Sequence, residues 1–117
     1  MSLSCLVNDL IPDSPISGAK RRLITGDKLM FSKVEIDKGI KVPVHRHSHE
    51  QFTYVLKGKL EITWGEDKKT EILGPDSMVF YSEDIPHESK ALEDTVVLEA
   101  FAPIVEDYLR FAKIANE

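Results

Sequence analysis

The sequence predicts an all-β fold, a sandwich or barrel of short strands, and three observations support this. Strand-like segments recur about every ten residues along the chain. Turn residues separate them, as at Gly26-Asp27, Asp37-Lys38-Gly39 and Gly74-Pro75-Asp76. The chain has 117 residues, enough for one hydrophobic core. We therefore expect a single domain over residues 1–117, built as an antiparallel β-sandwich or barrel.

The predicted strands begin after an N-terminal segment without a clear period, residues 1–15, which we expect to form an arm or an edge strand. They occupy residues 16–25, 29–36, the approach to His45, 51–58, 59–64, 69–73, 78–81, a short stretch from His87, and 95–102. Pro43 has no amide hydrogen to donate, which indicates that the strand before His45 is irregular or lies at a sheet edge.

The end of the chain has a different period. Ile104, Tyr108, Phe111 and Ala115 recur at steps of four, three and four residues. This spacing predicts a short C-terminal α-helix over about residues 104–115. Its apolar face is expected to cover either the barrel itself or a second subunit.

Composition argues against several classes of partner. The 20 acidic and 15 basic residues give a net charge of −5, whereas a nucleic-acid surface normally shows clustered excess basic residues. No apolar run is long enough to span a membrane, and the first residues do not resemble a signal peptide, so we expect a cytoplasmic protein. The basic run Lys20-Arg21-Arg22 is interpreted as a solvated strand face, with an anion site as the alternative.

The histidines are clustered. Three of the four lie within five residues, at His45, His47 and His49, and His87 follows a proline further along. Because neutral imidazole is the commonest metal-binding side chain, this grouping suggests that they share one metal ion. On an extended strand, His45 and His47 point to the same face, about 6.6 Å apart at the backbone.

Gln51 continues this odd-numbered series. A straight strand would place His47 and Gln51 about 13 Å apart. Metal–ligand bonds of about 2 Å cannot bridge that separation. We therefore predict a bend at residues 48–50 and a new strand from Gln51, with Gln51, Thr53 and Val55 on one face.

This stretch resembles the first motif of the cupins, G-x5-H-x-H-x3-E-x6-G. Gly39, His45, His47 and Gly58 match at every spacing, and Gln51 stands in place of the glutamate. The resemblance implies a double-stranded β-helix, the jelly-roll barrel of the cupins, with its core at about residues 17–102.

The second cupin motif has a partial counterpart at residues 76–87. His87 is in register behind a proline, but the two glycines, another proline and the closing Asn are replaced. The resemblance as a whole covers about residues 30–101. Cupins commonly pair, so it also implies a homodimer.

The resemblance implies a metal site formed by His45, His47, Gln51 and His87. Mixed nitrogen and oxygen ligands admit one divalent transition metal, Fe, Mn, Ni, Co, Cu or Zn. The alternative is that the histidines are ordinary polar residues of a barrel without a metal. His49 lies in the predicted bend, so we expect it to support a ligand or to lie at the surface rather than to bind the metal. Glu50 is expected to face away from Gln51.

The glutamine has a chemical consequence. Three neutral imidazoles and a neutral amide leave a divalent ion with its full 2+ charge, so the site should attract and polarise an anionic oxygen. It also differs from the two-histidine, one-carboxylate pattern of iron oxygenases.

Glu99 is the candidate general acid or base. It shares one face of the last strand with Thr95, Val97 and Phe101, so an inward Val97 would bring Glu99 inward too. Apolar surroundings would raise the pKa of this carboxyl group and suit it to proton transfer. A surface glutamate is the alternative. Phe101 and Trp64 are candidate walls of the substrate pocket, although core packing would also explain them.

A narrower resemblance concerns residues 95–109. It is to small cupins that include pectin-breakdown enzymes acting on unsaturated uronates, with the pattern D-x-F-S-P-P-R-E-D-Y. Phe101, Pro103, Glu106, Asp107 and Tyr108 fit it, with Glu99 in place of the aspartate. Val105 stands where those enzymes have arginine, the residue suited to binding a substrate carboxylate.

Three functions are consistent with these residues. The first is a metal-dependent enzyme that isomerises a small organic acid or sugar acid, or transfers a proton within it, by polarising an anionic substrate. The second is a non-catalytic module that binds a small ligand or a metal. The third is a metal-dependent dioxygenase.

Overall fold

A computed structural model describes residues 3–115. Its strands are β1 (Ala19–Thr25), β2 (Met30–Ile36), β3 (Lys41–His45), β4 (Glu50–Lys57), β5 (Leu60–Trp64), β6 (Lys69–Leu73), β7 (Met78–Tyr81), β8 (His87–Ala91), β9 (Thr95–Ala102) and β10 (Ala112–Ile114). Two 3-10 helices occupy Val7–Asp9 and Glu106–Phe111. No helix in residues 3–115 is long and apolar enough to cross a membrane.

The strands form two sheets. One has six strands in the order β10-β1-β2-β9-β4-β7, and the other has four in the order β3-β8-β5-β6. All strand pairs are antiparallel except β1 with β10. Buried side chains from both sheets form the main core cluster. This is the jelly-roll barrel that the sequence predicted, and β3 lies at a sheet edge as Pro43 indicated.

The turn between β4 and β5 shows why a glycine closes the first motif. Gly58 has a φ of 93°, a left-handed conformation that L side chains rarely adopt. A Cβ atom there would lie 2.5 Å from the carbonyl oxygen of Asp94. Gly58 therefore lets β4 return as β5 close to the loop before β9.

Inner side chains of the six-stranded sheet form rows across β2, β9 and β4. One row is apolar: Val34 faces Val97, which faces Val55. The next is polar: Ser32 faces Glu99, which faces Thr53. The third contains Met30, Phe101 and Gln51. Polar side chains therefore interrupt the apolar interior in two neighbouring rows of these strands.

The predicted C-terminal α-helix over residues 104–115 is wrong. The chain forms only the 3-10 helix Glu106–Phe111 and then β10, which pairs in parallel with β1. The hydrogen bonds of β10 to the open edge of β1 replace those that a longer helix would make within itself. Ile104, Tyr108 and Leu109 pack against the smaller core cluster, so this segment covers its own barrel.

Candidate metal centre

The chain bends between β3 and β4, as the separation of His47 and Gln51 in the sequence predicted. β3 ends at His45, residues 46–49 leave the sheet, and β4 begins at Glu50. On the neighbouring strand, His87 opens β8 directly opposite His45. The bend and this register bring three histidines together. Ligand nitrogens of His45, His47 and His87 lie within 4.8 Å of one another.

Backbone carbonyl groups orient each of these three rings through Nδ1. The nearest oxygens belong to Pro43 for His45, at 3.0 Å, to His49 for His47, at 3.0 Å, and to Ile85 for His87, at 2.9 Å. A carbonyl oxygen only accepts, so each Nδ1 carries the proton and donates it. Each neutral ring therefore presents the lone pair of Nε2, the usual arrangement of metal-binding histidines.

The contact between His47 and Gln51 supports a cation at this position. Nε2 of His47 lies 3.0 Å from Oε1 of Gln51. The Gln51 amide is orientated by its nitrogen, which donates to Thr53 Oγ1 at 2.9 Å and to Glu99 Oε2 at 3.0 Å. When the His47 ring is neutral, the lone pair of its Nε2 therefore faces a lone pair of Gln51 Oε1. Two such acceptors repel each other unless a cation lies between them. Two ligands bound about 2.1 Å from one ion lie about 3.0 to 3.4 Å apart, depending on the angle between the bonds.

His87 provides a second observation in favour of a metal. Its Nε2 is buried and makes no hydrogen bond within residues 3–115. Burial lowers the pKa of His87 to about 4; the Ile85 carbonyl partly opposes this, and the nearby His45 and His47 add to it. An unpaired buried acceptor is unfavourable unless something binds it. Together with Gln51, the three histidines therefore fit a divalent metal ion.

Glu99 lies on β9, the strand next to β4, and contacts Gln51. Its Oε2 accepts the hydrogen bond from Gln51, and its Oε1 accepts one from the hydroxyl group of Ser32 at 2.9 Å. The amide of Gln51 can donate this hydrogen bond, which an ionised glutamate could not. A glutamate there would place two carboxylate groups in contact, and like charges at that distance repel.

Burial raises the pKa of Glu99 above its ordinary value. The Ser32 hydrogen bond, the charge of Arg21 and the nearby His47 oppose this rise in part. The carboxyl group also lines the internal cavity. The predicted inward position of Glu99 is therefore observed, and the direction of its pKa shift suits a proton carrier.

A cavity of about 370 Å³ opens beside the histidines, and its walls come from both sheets. Phe101 lines it, as predicted. Trp64 does not: it packs against the main core cluster, because it follows Leu60 and Ile62 on the inner face of β5. Tyr81 forms another wall and stacks on His87 with ring centroids 4.0 Å apart. A cavity of this size accommodates a small molecule.

Arg21 also lines the cavity, which the interpretation of residues 20–22 as a solvated face missed. Arg21 is 7% exposed, whereas the preceding Lys20 is exposed. The signal was present in the alternation of β1: Ala19 and Leu23 have the parity of Arg21 and are buried.

Two residues near the site have other roles. Glu50 is exposed and lies on the opposite face of β4 from Gln51. His49 contributes its backbone carbonyl to His47, while its own Nδ1 is buried without a hydrogen-bond partner in the described chain. The orientating carbonyl groups could not be read from residue types, because they depend on backbone geometry.

The chain belongs to the cupin family. The family model described as a cupin domain matches residues 32–102, which is more than half of the sequence. No curated protein matches.

Solved structures share the fold. KdgF from Halomonas sp. is 26% identical with a TM-score of 0.78, over 87% of this chain and 95% of that one. An RmlC-like cupin from Shewanella frigidimarina is 24% identical with a TM-score of 0.82, over 89% and 93%. An oxalate decarboxylase variant from Bacillus subtilis is 17% identical with a TM-score of 0.78, over 86% of this chain but 30% of that one.

Proposed function

We propose that this cupin is a metal-dependent enzyme that catalyses isomerisation or another proton transfer in a small organic acid or sugar acid. The observation that carries the proposal is the arrangement of Gln51, which presents its oxygen beside His47 and its nitrogen to Glu99. It links a group of neutral metal ligands to a buried carboxyl group in one cavity. A related oxalate decarboxylase holds Mn(II) centres, which supports a metal in this fold.

Metal binding and proton transfer are assigned to different residues. His45, His47, His87 and Gln51 would hold the ion, which when bound supplies Lewis-acid polarisation of a substrate oxygen. Glu99 takes or gives the proton, because its carboxyl group faces the cavity and burial favours its protonated form.

Phe101 and Tyr81 exclude water from the cavity. Both are buried and both line it beside the metal ligands. A drier cavity strengthens the electrostatic interactions of a bound acid with the surrounding charges.

The proposal is tested by incubating a panel of small organic and sugar acids in D₂O with protein loaded separately with Mn²⁺, Ni²⁺ and Zn²⁺. Proton NMR follows product formation and the exchange of carbon-bound hydrogen for deuterium. Glu99→Gln should retain the metal and slow turnover by about a hundredfold to ten-thousandfold. Unchanged turnover in Glu99→Gln would remove the proposed acid–base group.

The other two functions predict different results in the same experiment. A binding module would bind one acid tightly and release it unchanged. A dioxygenase would consume oxygen only when loaded with iron or copper. Either result would replace the proposed reaction while keeping the metal site.

We further propose that two copies associate through the outer face of β4 and β7, in a cytoplasmic homodimer. Phe52, Leu56, Met78 and Phe80 are each about half exposed on this face, and the rings of Phe52 and Phe80 are in contact. β7 is also an open sheet edge, so a second copy presents the same apolar and backbone groups. Sedimentation should give a dimer that Phe80→Glu converts to a monomer, and a monomeric wild type would contradict this.

A further inference from the structure

Arg21 is a charged residue at an inner position of a strand. The other inner positions of β1 are Ala19, Leu23 and Thr25, and all are buried. Removing a guanidinium group from water is unfavourable by several kcal/mol unless its partners compensate. A buried ion pair that served packing alone could be replaced by apolar side chains without loss of stability. The inner position of Arg21 therefore suggests that its positive charge interacts with a molecule bound in the cavity.

Contacts hold the guanidinium group in one orientation. Nε and Nη2 of Arg21 donate to the two carboxylate oxygens of Asp13 at 3.1 and 2.7 Å. The backbone groups of the same two residues exchange hydrogen bonds of 2.8 Å. The guanidinium carbon also lies 4.2 Å from the centre of the Tyr108 ring. A planar group fixed in this way loses little further freedom on binding an anion.

The pair with Asp13 leaves part of the guanidinium group available. Arginine has five N–H donors, and Asp13 takes two of them. Tyr108 also lines the cavity; burial raises its pKa, and the positive charge of Arg21 partly opposes that rise. Arg21 and Tyr108 thus offer hydrogen-bond donors within the same cavity that His45 and His87 line.

Among the described residues that line the cavity, Arg21 carries the one permanent positive charge. Val105 is buried in the smaller core cluster, so no arginine reaches the cavity from that position of the uronate-enzyme pattern.

We propose that Arg21, delivered from β1, binds the carboxylate group of the substrate and determines the preference for acids. The inference rests on the proposed function and adds an orientation to it. The carboxylate lies at Arg21, and a carbonyl or hydroxyl oxygen of the same molecule lies towards the histidines. Glu99, which accepts a hydrogen bond from Gln51, then lies beside the substrate carbon atoms between the carboxylate and the carbonyl or hydroxyl group.

The experiment measures binding of D-glucuronate and L-lactate by calorimetry, each against its own carboxamide, to metal-loaded and metal-free protein. The main variant combines Arg21→Gln with Asp13→Asn, because Arg21→Gln alone would leave a largely buried carboxylate unpaired. Arg21→Lys keeps the charge but not the two-point geometry. Lys20→Gln is the matched control, since it removes one positive charge from the neighbouring exposed position.

The double variant should bind the acid about tenfold to a hundredfold more weakly and lose its preference over the carboxamide. Arg21→Lys should lie between wild type and the double variant, and Lys20→Gln should bind as wild type does. The effect should persist in metal-free protein, where no ion competes for the carboxylate.

Two results would overturn the inference. If the acids bind only to metal-loaded protein and the Arg21 variants bind them equally well, the carboxylate lies on the metal; the proposed function then stands and the role of Arg21 fails. If neither acid binds the wild type in either form, the assignment of acids fails, and the role of Arg21 fails with it.

Discussion

The inner face of the six-stranded sheet places two kinds of row side by side. Val34, Val97 and Val55 form an apolar row, and Ser32 and Glu99 lead a polar row only two residues away on the same strands. Apolar burial stabilises the fold at roughly 25 cal/mol per Å², whereas a buried carboxyl group opposes folding unless it is hydrogen-bonded. Across β2, β9 and β4, the apolar row therefore stabilises the barrel, and the polar row places a carboxyl group for chemistry.

The largest expected change in stability comes from an apolar position. Met30 is completely buried in the smaller core cluster. Met30→Ala should lower the free energy of unfolding by about 2 to 5 kcal/mol, because it removes apolar contacts and leaves a cavity. Urea unfolding measures the loss. Met30 lies in the same row as Phe101 and Gln51, and metal stoichiometry at 10 °C should nevertheless stay that of the wild type. Loss of the metal in the folded variant would show that apolar packing also positions the ligands.

Gln51→Glu tests the link between the metal ligands and the polar row. The change replaces the hydrogen bond from Gln51 to Glu99 by a contact between two carboxyl groups. We expect metal-free protein to lose about 1.5 to 3 kcal/mol of unfolding free energy at pH 7. The loss should shrink at pH 5, where one proton can be shared between the two groups. Equal stability of variant and wild type at pH 7 would show that the amide link contributes nothing.

Ser32→Ala is a smaller change within the polar row. Ser32 is completely buried and donates to Glu99, which lowers the pKa of that carboxyl group. Removing the hydroxyl group should reduce stability by about 1 to 3 kcal/mol and raise the pKa of Glu99. The pH profile of turnover should therefore move to higher pH while metal affinity stays unchanged. A profile that does not move would contradict the role of Glu99.

Metal affinity should fall as the pH decreases. Protons compete with the metal for the Nε2 lone pairs, and an ordinary imidazole is half protonated at a pH of about 6.5. Burial lowers the pKa of His87 to about 4, so its nitrogen stays available at lower pH than that of an ordinary imidazole. Equilibrium dialysis should show weakening towards a pH of about 6. Full occupancy well below that pH would argue against a site built mainly from imidazole.

The sequence predicted the cupin fold and the grouping of His45, His47 and His87, whereas Gln51 as a metal ligand stays a prediction. Alternation and turn residues located the strands, and the four-residue step from His47 to Gln51, too long for a straight strand to place both at one ion, indicated the bend. The sequence-based prediction was wrong where the structure of a segment depends on contacts with a distant part of the chain. The end of the periodic segment, residues 112–114, became β10 because the edge of β1 was open, and Arg21 became buried because Asp13 pairs with it.

The hydrogen bond from Gln51 to Glu99 also could not be predicted from the sequence. Each residue was a candidate on its own, but their hydrogen bond depends on the pairing of β4 with β9. That register places Glu99 opposite Thr53, so the amide nitrogen of Gln51 reaches both side chains.

The central claim is that one metal ion is held by the Nε2 atoms of three histidines and the Oε1 atom of Gln51. Anomalous diffraction from crystals of Mn²⁺-loaded or Zn²⁺-loaded protein tests it most directly. We expect one metal peak per chain, within about 2.0 to 2.3 Å of Nε2 of His45, His47 and His87, with Oε1 of Gln51 as a further ligand. A peak bound through Nδ1, or one away from these side chains, would contradict the account.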